Sequence, residues 1–114
     1  MYGKIIYVAG KFQNKKENKE YIEECCRRFT KIYPSYLFIN GVSQFSHCYN
    51  CTSQRDGLRM CISLMKMCTE IWTVGEYENS VGTYVEMMCA ETLGKKIVEH
   101  ADKTLLENVA DKEE

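Results

Sequence analysis

Four short apolar runs divide this chain, with segments of helical period between them, and that alternation leaves few folds open. Lys4 to Ala9 (Lys-Ile-Ile-Tyr-Val-Ala) reads as a buried strand ending at Gly10, and Tyr36 to Asn40 as a second, ended by Gly41. Glu70 to Val74 is a third and Lys96 to Glu99 a short fourth. From about Lys19, the apolar positions Ile22, Cys25, Cys26, Phe29 and Ile32 recur at helical spacing. That helix stops near Tyr33, because Pro34 disfavours helical geometry in the residue before it. Leu58, Cys61, Ile62, Met65 and Cys68 mark a second helix, and Val81, Val85, Met88, Cys89 and Thr92 a third, closed by Gly94. Strand and helix alternating three times before a last strand predicts an α/β three-layer domain. Its sheet is four-stranded and mostly parallel, ordered 2-1-3-4, with right-handed crossovers. Lys11 to Asn18 and Val42 to Ser53 read as polar loops, the second long enough to be functional.

The 114 residues suit one core, taken here as residues 1–100. Ala101 to Glu114 form a charged tail with Leu105, Leu106 and Val109 as a weak apolar face. A formal net charge of -1 speaks against nucleic acid as a partner, since duplex binding brings a basic face. No apolar run nears the ~18 residues of a membrane span, and no charged-then-apolar leader opens the chain. The seven cysteines are odd in number and several fall at helical core spacing. Reduced thiols in a cytoplasmic protein are therefore expected rather than a disulfide framework.

In open parallel sheets, ligands bind beyond the carboxyl ends of the strands, where strand order reverses. That edge collects the loop after Gly10, the loop from Asn40 to Thr52 and the loop from Gly75 to Gly82. Lys11 and Phe12 offer a charge and a stacking face, while Asn40, His47 and Tyr49 offer polar contacts. Ser80-Val81-Gly82-Thr83-Tyr84-Val85-Glu86 carries the sharpest chemistry. Amides at a helix N-terminus face an anion, a glycine permits close approach, and a carboxylate follows one turn on. On one reading Ser80, Gly82 and Thr83 clamp a phosphate or hydroxyl and Glu86 acts on a sugar as nucleophile or hydrogen-bond acceptor. On the other, Ser80 only caps the helix and Glu86 is a solvated charge. Tyr7 and Trp72, inside strands, read as core. The Cys48-x-x-Cys51 pair lacks the second pair a structural zinc site needs, so no metal and no cofactor is expected.

Tyr-Val-Ala-Gly at 7–10, Gly-Leu-Arg-Met at 57–60, Cys-Thr-Glu-Ile-Trp at 68–72 and Ser-x-Gly-x-x-x-Glu at 80–86 look like small Rossmann-like domains of unknown function from bacteria and phages. These are similar to the nucleoside 2-deoxyribosyltransferase superfamily, and the resemblance runs in order from about residue 3 to residue 99. It implies a flavodoxin-like sheet, a nucleotide or nucleoside pocket, and Glu86 at the nucleophile position. It also places Ser80 and Gly82 in a phosphate-contacting loop and implies a homo-oligomer. Active relatives carry an aspartate on the helix before the third strand to manage the proton of the departing base. That place falls here on Cys61 or Ile62, and Thr69 stands where relatives often have aspartate. Asp56 or Glu70 is the remaining candidate for that work. The expected ligand is thus a nucleotide, nucleoside or ADP-ribose-like molecule. It is either cleaved or transferred at its N-glycosidic bond, or held without turnover by a protein that senses or sequesters a nucleotide-derived signal.

Overall fold

The computed structural model describes residues 2–106. Strands β1 (Lys4–Ala9), β2 (Tyr36–Ile39), β3 (Glu70–Thr73) and β4 (Lys96–Val98) form one sheet in the order β2-β1-β3-β4, every pair parallel. The central strands β1 and β3 are covered on both faces, and alternation along them divides the core. Ile6, Val8, Trp72 and Val74 pack with Ile22, Cys25 and Phe29 of helix α1 (Lys16–Ile32). Tyr7, Ala9 and Ile71 turn the other way, onto Met65 of α3 (Gln54–Lys66), Cys68 just after it, and Ala90 of α4 (Val81–Thr92). The sheet is therefore sandwiched between α1 and the α3–α4 pair, the three-layer Rossmann-like arrangement the alternation implies.

Helix α1 begins three residues before Lys19. The chain reverses through Gln13 and Asn14, both left-handed at φ 51 and 53, and the Asn18 side-chain amide donates to the Phe12 carbonyl at 2.9 Å. That reversal brings the chain onto the helix axis early. At the far end Tyr33 leaves helical geometry, with φ -121 and ψ 70, ahead of Pro34. Phe29 packs edge-on against Trp72 at 5.1 Å between ring centroids, so the last turn of α1 is anchored on β3.

The segment after β2 is more ordered than its polarity suggests. Asn40 accepts the Ser43 N–H at 2.7 Å and starts a short helix, α2 (Gly41–Phe45), which runs into a 3-10 turn at Ser46–Cys48. Ser53 caps α3 through the Asp56 N–H, and Ser80 caps α4 through the Thr83 N–H. Gly94, at φ 71, ends α4: its N–H bonds the Glu91 carbonyl and the Lys95 N–H bonds that of Ala90. This doubly bonded left-handed stop requires glycine or asparagine.

The described residues beyond β4 join the body. Ala101 and Leu106, just before and at the end of a short π-helical turn at Asp102–Leu106, are fully buried on the α1 face, and Leu105 packs beside them. The buried Asp102 carboxylate accepts from the Tyr21 hydroxyl and, at 3.0 Å, from the Gly75 N–H, fastening that turn to the loop after β3. Val109, the third residue of the expected apolar face, lies outside the described residues. Among the described residues no helix is long and apolar enough to cross a membrane.

Candidate functional site

A cavity of about 420 Å³ opens at the carboxyl edge of the sheet, on the α3–α4 side. Three loops meet around it. The β1–α1 loop supplies Gly10, Phe12 and Gln13; the segment through α2 and the start of α3 supplies Gly41, Tyr49 and Cys61 among others; and the start of α4 supplies Ser80, Gly82 and Glu86. The loops are tied over it. Phe12 meets the Tyr49 ring edge-on at 5.2 Å, and the Gln13 amide donates to the Asn79 carbonyl at 3.4 Å.

The start of α4 follows from its sequence. After β3 the chain turns through Gly75, at φ 66, and a 3-10 turn at Tyr77–Asn79 delivers Ser80 as the cap. The Ser80 hydroxyl is engaged twice by Thr83, from its N–H at 3.2 Å and its hydroxyl at 3.0 Å. The Tyr84 N–H bonds the Ser80 carbonyl. The N–H groups of Val81 and Gly82 are thus the helix-end donors with no hydrogen bond to the described residues, and both residues line the cavity. A Cβ added at Gly82 would meet nothing closer than 3.7 Å. Packing does not require glycine at that position, although glycine lowers helix stability by roughly 1 kcal/mol relative to alanine.

Glu86 forms the floor and is 7% exposed. Its Oε2 is buried without a hydrogen-bond partner among the described residues. Burial pushes its carboxyl up from 4.5 to about 7, against a hydrogen bond from the Tyr7 hydroxyl that favours the ionised form. Tyr7 is itself buried on β1, and its pKa is driven far upward by desolvation and then by the charges of Glu86 and Cys61. Burial, followed by the charge of Glu86, raises the Cys61 thiol to about 11. Gly41 makes this cluster possible. A Cβ there would overlap the Tyr7 hydroxyl and stand 2.6 Å from the Cys61 sulfur. A carboxyl poised near neutrality with a desolvated, unpaired oxygen can accept a hydrogen bond, take a proton, or attack an electrophilic carbon.

Six of the candidate residues, Gly10, Phe12, Ser80, Gly82, Thr83 and Glu86, line this one cavity. Lys11 points to the opposite side of the loop and pairs with Glu76 at 2.9 Å. Asn40 is buried as the α2 cap with its amide on the Cys26 sulfur, and His47 is exposed on the 3-10 turn; neither lines the cavity. Tyr7, expected only as core, and Cys61, expected only at the place of the relatives' aspartate, both stand against Glu86. A tyrosine in the middle of a buried strand needs a partner for its hydroxyl, and that demand was the available signal.

The two other carboxylates considered for proton transfer lie elsewhere. Glu70 sits at the amino end of β3, where it accepts from the Trp72 indole at 2.9 Å and pairs with Lys4. Asp56 is exposed beside Arg59 at 3.8 Å. Thr69 accepts from the Ile5 N–H, also at the amino end of the sheet, and Ile62 packs in the core. All seven cysteines are free, and among the described residues no three or more histidine, cysteine, aspartate or glutamate side chains converge to hold a metal.

No curated protein matches this chain. A family model described as a domain of unknown function, DUF4406, matches residues 4–99, so it spans all four strands, the cavity and Glu86. The chain belongs to the DUF4406 family of domains of unknown function.

Proposed function

We propose that the cavity binds a nucleotide, nucleoside or ADP-ribose-like small molecule, with its phosphate at the start of α4 and its sugar over Glu86. The observation that carries this reading is the pairing of two open helix-end donors, Val81 and Gly82, with a buried, unpartnered carboxylate oxygen one turn further on. Helix-end amides favour an anion, and a buried polar atom without a partner favours a ligand that supplies one. The edge-on Phe12–Tyr49 pair gives a flat base an aromatic surface at the same mouth.

The resemblance to the nucleoside 2-deoxyribosyltransferase superfamily extends this to chemistry. Glu86 attacks the anomeric carbon, the bond to the base nitrogen breaks, and the base leaves with the electron pair. Water or an acceptor base then releases the sugar from the carboxylate. The departing base needs a proton, and general acid help of that kind is worth ~10²–10⁴ in rate. Cys61 occupies the place beside Glu86, with a thiol near 11 in place of a carboxyl. That observation favours the second reading, a protein that holds a nucleotide-derived signal without turnover, as a phage counter-defence protein would. A homo-oligomer belongs to the same proposal. Val81, Tyr84 and Met88 leave an exposed apolar strip on α4 next to the cavity.

Incubation with a panel of nucleosides and nucleotides, followed by chromatography, separates the two. Free base that disappears with Glu86→Ala supports the enzyme; thermal stabilisation without product supports the binder. The absence of both base release and stabilisation with every compound of the panel overturns the nucleotide reading.

A further inference from the structure

A second cavity, of about 440 Å³, lies on the α1 side of the same sheet edge and shares Gly10 with the first. Its walls are the ends of β1 and β3 (Gly10, Val74, Gly75) and the side chains of Tyr21 and Ile22 from α1. β1 and β3 are neighbours whose chains depart to opposite faces and opposite edges of the sheet. The two cavities therefore flank the crevice where strand order reverses, the place where open α/β sheets hold their ligands.

The chemistry of the second cavity is set by Lys11 and Lys103. The Lys11 ammonium pairs with Glu76 at 2.9 Å, but unequally: the Lys11 side chain is 24% exposed and that of Glu76 is 74% exposed. The Glu76 carboxyl is held below its usual range first by Lys11 and also by the charge of Lys103. Two cations at the cavity, from the β1–α1 loop and the turn after β4, thus address one largely solvated carboxylate on the loop after β3. Ion pairs with such an exposed partner contribute little and open readily. The remaining acidic group, Asp102, is not free to compete, because Tyr21, Gly75 and the Lys103 N–H already occupy it. Gly10 lines both cavities, and the space beside its α-carbon is filled by protein, a Cβ there standing 3.2 Å from the Val74 carbonyl and 3.3 Å from Ile22.

We propose that this second cavity is an anion subsite of one continuous site. The ligand would be a two-ended nucleotide, its first half held between the start of α4 and Glu86 and a second anionic or polyhydroxyl half passing Gly10 to reach Lys11 and Lys103, displacing Glu76. The inference rests on the nucleotide reading above and narrows it, from nucleotides in general to those extended beyond a single phosphate.

The test compares AMP with ADP-ribose by isothermal titration calorimetry on the wild-type chain, on Lys11→Ala/Lys103→Ala and on Glu76→Gln. Glu76 and Lys103 are exposed and Lys11 is half-buried, and circular dichroism checks that each variant is folded. Wild type is expected to bind ADP-ribose about tenfold or more tighter than AMP, the increment a charge-assisted contact supplies. The double lysine variant loses that preference while its AMP affinity stays, and Glu76→Gln, which frees both ammoniums, strengthens ADP-ribose alone. Equal affinity for the two ligands in wild type, or a preference that survives removal of both lysines, overturns the second subsite and leaves the nucleotide reading standing. Binding of neither ligand overturns both.

Discussion

Replacing Glu86 with glutamine tests the electrostatic argument at the centre of the site. Burial raises the carboxyl from 4.5 to about 7 in the folded chain, whereas in the unfolded chain it returns to its ordinary value. The folded state therefore holds the proton more tightly, and stability falls as pH rises between those two values. Below pH 4.5 the group is neutral in both states and costs nothing. Above pH 7 it is ionised in both, and the folded state bears the whole cost of a buried charge. At ~1.36 kcal/mol per pKa unit, that cost is about 3 kcal/mol. Glu86→Gln keeps the shape and removes the charge. Its stability relative to wild type should rise by about 3 kcal/mol between pH 4.5 and pH 8.5, whatever constant offset the amide itself introduces. Urea denaturation of both chains at half-unit pH intervals measures the difference, with the other titrating groups cancelling. A difference that stays flat across that range would show that Glu86 ionises as if in water, and the account of the cavity floor would be lost. Tyr7→Phe gives the companion result. Without the hydroxyl that favours the ionised form, the downward step in wild-type stability moves to higher pH.

Three further outcomes follow from the same geometry. Gly82→Ala should stabilise the protein by up to ~1 kcal/mol, because its Cβ meets only ordinary contacts and alanine is the better helix residue, while nucleotide affinity falls; thermal melts with and without nucleotide read both effects. Gly41→Ala should cost about 1–3 kcal/mol in urea denaturation, since the added Cβ collides with the Tyr7 hydroxyl and the Cys61 sulfur; a loss below that range would mean that α2 shifts freely. Of the cysteines, exposed Cys51 should react first with a thiol-specific dye, because burial raises Cys25 to about 12 and Cys26, Cys61 and Cys68 to about 11. Mass spectrometry of the early product locates the label, and a fast phase persisting in Cys51→Ser would refute the assignment.

The order of strands and helices was legible in the sequence because each element has its own period. Ile22, Cys25 and Phe29 recur as a helix does, and Lys4 to Ala9 is too short and too β-branched to be anything but a strand in a parallel sheet. Gly94 marked the end of α4 because a left-handed stop admits few other residues. The start of α1 and the helix hidden after Asn40 were not legible, because a left-handed pair at Gln13–Asn14 and a side-chain cap are decided by local geometry rather than by period.

Ser80, Gly82 and Glu86 could be named from spacing, since cap, glycine and carboxylate all lie on one helix turn and its neighbour. What surrounds Glu86 could not. Tyr7, Gly41 and Cys61 are far apart along the chain and belong to three elements, and only packing brings Tyr7 and Cys61 against one carboxyl with Gly41 leaving room for them. Whether a glutamate on a helix is a solvated charge or a desolvated group near neutrality depends on how much water its neighbours exclude. That quantity belongs to the assembled layers, as does the side of the β1–α1 loop on which Lys11 emerges.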